Sequence, residues 1–138
     1  MPHVSKYKLS GSQVNQLSQR IVEATFSIKN KKNLQLFFDD LLSTTEKIML
    51  GKRLLIALMI ESGHSYFDIR KTAGVTDATI ASISERLKSS GRGLRLAIKR
   101  LQRQENIEAL LQRFGNAITG SIPRLPRIAY LPRVRKPL

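Results

Sequence analysis

Apolar residues recur along this chain at helical spacing rather than with the alternation of a strand. Val14, Leu17, Ile21 and Ala24 fall at i, i+3, i+7 and i+10, which predicts an amphipathic helix over residues 12–28 capped by Ser12. The polar run from Asn30 to Asn33 breaks that pattern and reads as a linker. Leu34, Phe37, Phe38, Leu41 and Leu42 then form an i, i+3, i+4, i+7, i+8 stripe, so residues 34–42 predict a second helix with its phenylalanines in a core. A third helix is expected from about Thr45 to Ser62, capped by Ser43 or Thr44, with Glu46 in the first turn where the helix dipole favours an acid. Between Leu54 and Ile60 its apolar residues occupy most of the circumference. Such a helix must be covered on more than one side. A chain this short supplies one layer, and a second subunit is the expected source of the other. Gly63 ends the helix, and His64 reads as a polar loop residue.

The stretch from Ser65 to Lys88 predicts two short helices joined at Gly74. Ser65 offers an N-cap to the first, with Asp68 three positions on, and Thr76 offers one to the second. Gly74 suits a residue that takes positive φ where the first helix stops. Ile80, Ile83 and Leu87 share one face of the second helix, and Val75 sits where it can fill the angle between the two. Two capped helices, a glycine turn and a shared apolar core describe a helix-turn-helix. The outward side of the second helix is small and polar, with Asp77, Ala78, Thr79, Ser82 and Arg86. A helix of that texture can enter the major groove and reach base edges and phosphates; a solvated face on an ordinary helical hairpin is the plainer alternative.

Beyond it, Ser89, Ser90, Gly91 and Gly93 predict a loop that opens a last helix from about Leu94 to Phe114, where apolar positions alternate with Arg95, Lys99, Arg100 and Arg103. From Gly115 the composition shifts. Pro123, Pro126, Pro132 and Pro137 argue against a regular helix and for extended segments. Arg124, Arg127, Arg133 and Arg135 are interleaved there with apolar residues. That tail suits an arm along DNA with arginines in the minor groove, a segment packed on its own domain or a partner, or disorder. The organisation expected is a mobile arm at 1–10, an all-α domain at 11–114 and a basic Pro/Arg-rich tail at 115–138.

Charge sharpens the picture. The 138 residues carry 24 Lys and Arg against 10 Asp and Glu, a formal net charge of +14. A nucleic-acid backbone is the commonest counterpart of such a chain. No stretch approaches the roughly 20 apolar residues of a membrane-spanning helix, and the amino-terminal residues lack the apolar segment of a secretory signal. No membrane partner is expected, and a cytoplasmic, nucleoid-associated location is. With no cysteine and only His3 and His64, neither a metal site nor a cofactor is expected. Asp39 and Asp40 are adjacent, so on a helix they point about 100° apart and make a poor acid–base pair. No nucleophile–base constellation or phosphate loop argues for an enzyme.

The residues from Leu41 to Lys88 resemble the Trp repressor superfamily, in its uncharacterised Trp-repressor-like branch. The similarity rests on Leu50-Gly51-Lys52-Arg53, then a glycine turn, then Ala78-Thr79-Ile80 and the closing Ser84-Glu85-Arg86-Leu87-Lys88. The resemblance implies an all-α fold in which the amino-terminal helices of two subunits interlock into an intertwined dimer. In that family a tryptophan corepressor is held between two arginines. Arg53 matches the first, and the second falls at Ser82, which cannot stack on an indole or pair with a carboxylate as arginine does. Tryptophan binding is not expected.

The reading is therefore a multi-helix, Trp-repressor-like bundle with an irregular basic tail, acting as a dimeric, sequence-specific regulator on double-stranded DNA. Base readout is assigned to Thr76, Asp77, Ala78, Thr79 and Ser82. Phosphate contact is assigned to Arg70, Lys71, Arg86, Lys88, Arg92 and Arg95, with the tail arginines as further contacts. The alternatives are an architectural nucleic-acid protein working through charge alone and the DNA-recognition subunit of a mobile-element system.

Overall fold

The structure, a computed structural model, describes residues 8–119. Among these residues there are seven helices and no strand: α1 (Gly11–Ser27), α2 (Lys31–Leu41), α3 (Thr44–Glu61), α4 (Tyr66–Ala73), α5 (Asp77–Ser89), α6 (Arg92–Gln104) and α7 (Ile107–Thr119). The fold is all-α. No described helix is long and apolar enough to cross a membrane. The chain divides into two compact units, one ending at Met49 and the other beginning at Leu50.

In the first unit, side-chain caps set the helix starts. Ser10, not Ser12, opens α1: its Oγ accepts from the Gln13 amide at 3.2 Å while the Gln13 side-chain oxygen accepts from the Ser10 amide at 2.8 Å. The spacing Ser10-x-x-Gln13 is a capping box, which a serine at position 12 lacks. Asn30 is likewise no linker residue but the N-cap of α2, its Oδ1 accepting from the amides of Lys32 and Asn33. Ser43 and Glu46 form a second reciprocal box at the start of α3. Those hydrogen bonds to Ser43 hold the Glu46 carboxyl below its ordinary range. Asp39 pairs with Lys47 at 2.9 Å and accepts from Gln35 at 3.0 Å. Both contacts, the lysine's first, depress its pKa as well.

Neither α1 nor α2 buries a single residue. The core expected under α1 and α2 is absent from the isolated chain: Leu34, Phe37 and Phe38 are only half-buried, and Phe26 is 86% exposed. Along α1, Val14, Leu17, Ile21 and Val22 are also open to solvent.

The second unit holds the core. Leu55, Ile56, Ala57, Leu58 and Met59 of α3 are buried in one cluster with Ile69 and Ala73 of α4, Ile80, Ile83 and Leu87 of α5, Ile98 of α6, and Leu110 and Leu111 of α7. Five consecutive buried residues need partners all around the helix. This single chain supplies them, so the apolar girth of α3 does not require a second subunit. That expectation is corrected, and the uncovered apolar surface lies on α1 and α2 instead.

The helix expected over Leu94–Phe114 is two helices. Glu105 and Asn106 interrupt it; Asn106 Oδ1 accepts from the Ala109 amide at 2.8 Å and caps α7, while Glu105 pairs with Arg113. The break lets α7 pack against both α6 and α4 and return Leu110 and Leu111 to the core. α7 also runs on to Thr119, beyond the composition change at Gly115. The tail arginines Arg124, Arg127, Arg133 and Arg135 lie outside the described residues, as do residues 1–7 of the expected amino-terminal arm.

Candidate nucleic-acid interface

The pair α4–α5 is built by local chemistry. Ser65 Oγ accepts from the Asp68 amide at 3.1 Å and starts α4. Gly74 ends it in the left-handed region, at φ 65° and ψ 47°, with its amide donating to the Arg70 carbonyl at 2.9 Å. Thr76 caps α5, its Oγ1 accepting from the Thr79 amide at 3.4 Å. Val75 between them is half-buried against the core. The buried faces are Ile69, Thr72 and Ala73 on α4 and Ile80, Ile83 and Leu87 on α5. With that side fixed, helical geometry turns the rest outward. Thr76, Asp77, Ala78, Thr79 and Ser82, the residues assigned to base readout, are all exposed, and so are Arg86 and Lys88.

Four side chains near the turn interact. Arg70 reaches from α4 to the first turn of α5, its Nη1 2.6 Å from Asp77 Oδ1. Arg70 and Lys71 also stand over the Phe67 ring, at 5.7 and 5.4 Å from its centre. Phe67 and its neighbour Tyr66 are exposed. Sequence reasoning passed over this aromatic pair. The signal was present: an aromatic with cations three and four residues on meets both across one helical turn.

α6 extends the positive surface. It contains Arg92, Arg95, Lys99, Arg100 and Arg103 and no acid. Its apolar side docks through Leu94, Ile98 and Leu101, which leaves Arg92, Lys99, Arg100 and Arg103 exposed. Arg95, assigned to phosphate contact from the sequence, has partners within the protein. Its guanidinium turns inward, with Nη2 2.6 Å from the Leu87 carbonyl, Nη1 3.4 Å from the Ser90 carbonyl and Nε 3.2 Å from Glu61 Oε1. Three of the five N–H donors of that fork are thus engaged by protein acceptors. Arg53 on α3 and Ser82 on α5 are both exposed. His64, half-buried behind α3, has Nδ1 3.2 Å from the Met59 carbonyl.

Comparison with known proteins agrees with this architecture. No solved structure matches the chain. An uncharacterized protein of Bacillus subtilis (strain 168), YerC, is 31% identical over 98 residues, covering 71% of this chain and 90% of that protein. The family model described as Trp repressor protein matches residues 15–102, which takes in α2 to α5 entire, most of α1 and all but the end of α6. The chain belongs to the Trp repressor family of all-α helix-turn-helix DNA-binding proteins.

Proposed function

We propose that this protein is a sequence-specific regulator of transcription that binds double-stranded DNA as a homodimer and reads the major groove with α5. One observation carries the reading. Thr76, Asp77, Ala78, Thr79 and Ser82 all stand exposed on a helix whose opposite face is locked in the core. Polar and small residues on a rigid helix can meet base edges, while Arg70, Lys71, Arg86, Lys88 and Arg92 hold the flanking phosphates. The outward cations of α6 add to that electrostatic grip. Ser82 at the second arginine position of the family leaves the indole of tryptophan without a clamp, so DNA binding needs no tryptophan here.

The dimer rests on α1 and α2. Helices with apolar stripes and no buried residue need cover, and two copies of one chain bring matching faces by symmetry.

The test is selection from a random duplex library at about 150 mM salt with full-length protein. Recovery of a palindrome with half-sites about one helical turn apart supports the proposal. Binding without enrichment favours the second reading, a charge-driven coat on DNA, for which the acid-free α6 is the specific argument. On the selected site, Thr79→Ala lowers preference for the cognate over random duplex more than overall affinity. Arg86→Ala weakens binding to every duplex and reduces the salt slope by about one.

A further inference from the structure

The last turn of α5 ends at Ser90, followed by Gly91 in the left-handed region. Its C-cap Ser90 has φ −141° and ψ −85°, and carbonyls at a helix end have no partners within the helix. Arg95 supplies them from the next helix, donating through Nη2 to Leu87 O and through Nη1 to Ser90 O. A cation at this end also meets the negative pole of the helix. The guanidinium is then held from a third direction by Glu61, the last residue of α3, 34 positions earlier in the chain. Gly91 makes the approach possible. It takes φ 63°, and a Cβ there would lie 2.6 Å from Leu87 O and 3.1 Å from Arg95 Nη1. One guanidinium thus joins the ends of α3 and α5 to the first turn of α6.

We propose that Arg95 and Glu61 are positioning residues for DNA readout. Through the Leu87 and Ser90 carbonyls they fix the C-terminal end of α5, and so the angle at which its outward residues meet the groove. This rests on α5 being the reading helix. The pair itself touches no DNA. The role requires the planar fork of arginine, which a lysine's single ammonium cannot reproduce. It also reverses the sign that charge alone gives for Glu61. Removing an acid from a DNA-binding protein ordinarily tightens binding to any duplex, whereas here Glu61→Gln loosens the guanidinium and weakens selective binding.

The experiment compares full-length native protein with Arg95→Lys, Arg95→Ala, Glu61→Gln and the Arg95→Ala/Glu61→Gln double variant, by two measurements. The first is amide hydrogen exchange along α5. The single variants should speed exchange in the last turn, Leu87 to Ser90, by about tenfold or more relative to the buried part of α4. The second is a salt titration on the selected site and on random duplex. Cognate affinity should fall about tenfold in Arg95→Lys and in Glu61→Gln, with the salt slope unchanged. The double variant should lose no more than Arg95→Ala alone, as coupled partners do. Unchanged exchange in α5 overturns the proposal. So does a Glu61→Gln protein that binds both duplexes more tightly, or an Arg95→Ala protein whose salt slope drops by about one while Arg95→Lys keeps the native slope. If native protein prefers no duplex, the reading of α5 fails, and the exchange measurement still decides whether the pair fixes its end.

Discussion

Arg70 and Asp77 close the turn of the helix-turn-helix with an ion pair, Nη1 to Oδ1 at 2.6 Å, so a cation on one helix is neutralised by the leading acid of the next. Asp77 faces outward on a surface otherwise rich in lysine and arginine, and a carboxylate there repels phosphate wherever it cannot accept from a base. Asp77→Asn removes that repulsion and releases Arg70. Affinity for random duplex should rise several-fold, and the ratio of cognate to random binding should narrow, in parallel titrations at fixed salt. Both side chains are well exposed, so unfolding stability should change by less than about 1 kcal/mol.

The amino-terminal helices supply the test of assembly. Val22 and Phe26 are 61% and 86% exposed in the single chain. Val22→Asp or Phe26→Asp should convert a dimer to a monomer in sedimentation equilibrium, because a desolvated carboxylate at an apolar contact costs several kcal/mol. A native oligomer that survives both changes places the contact elsewhere.

Two glycines with nearly equal φ should respond unequally to alanine. At Gly74 a Cβ meets nothing nearer than the Lys52 ammonium at 3.8 Å, so Gly74→Ala should cost about 1–2 kcal/mol, the strain of left-handed backbone alone. At Gly91 the same atom collides with the Leu87 carbonyl. Gly91→Ala should be the more destabilising in urea unfolding, by at least ~1 kcal/mol, and should disturb the end of α5.

The start of α3 should be sensitive to acid. Glu46 is depressed by its hydrogen bonds to Ser43, backbone first. A carboxyl whose pKa is lower folded than unfolded stabilises the fold above its unfolded pKa, and that stability is lost as pH falls through the folded value. Native protein should therefore lose more melting temperature than Glu46→Gln between neutral pH and the acid side of the carboxylate range. Glutamine keeps the box without titrating. Equal acid sensitivity of the two proteins would show that the box contributes nothing that titrates.

The helix-turn-helix was legible because its signals are local. Ser65, Gly74 and Thr76 act on backbone within a few residues, and Ile80, Ile83 and Leu87 mark the buried face by spacing alone. The break at Glu105–Asn106 shows in the sequence as a change of face: on a continuous helix Ile107 and Leu111 would lie about 180° and about 220° round from Ile98. A second clue was Asn106 itself, a capping residue ahead of an acidic first turn. The start of α1 lies at Ser10 rather than Ser12 because Gln13, three residues on, completes the capping box. The inward turn of Arg95 was beyond sequence reasoning, since Glu61 becomes its neighbour only after three helices fold. The cover of α3 failed for the same reason: α7, once split from α6, provides residues that a single long helix would carry away from the core.

That late helix has a consequence for how the protein is made. Leu110 and Leu111 are buried in the cluster beneath α5, yet α7 begins after the last residue matched by the family model. A nascent chain that has emerged only as far as Gln104 carries α5 on an unfinished core that lacks those two leucines. Such an intermediate is what chaperones hold and proteases cut. The core that backs α5 is therefore completed only after α5 itself has been synthesised, when α7 arrives with Leu110 and Leu111.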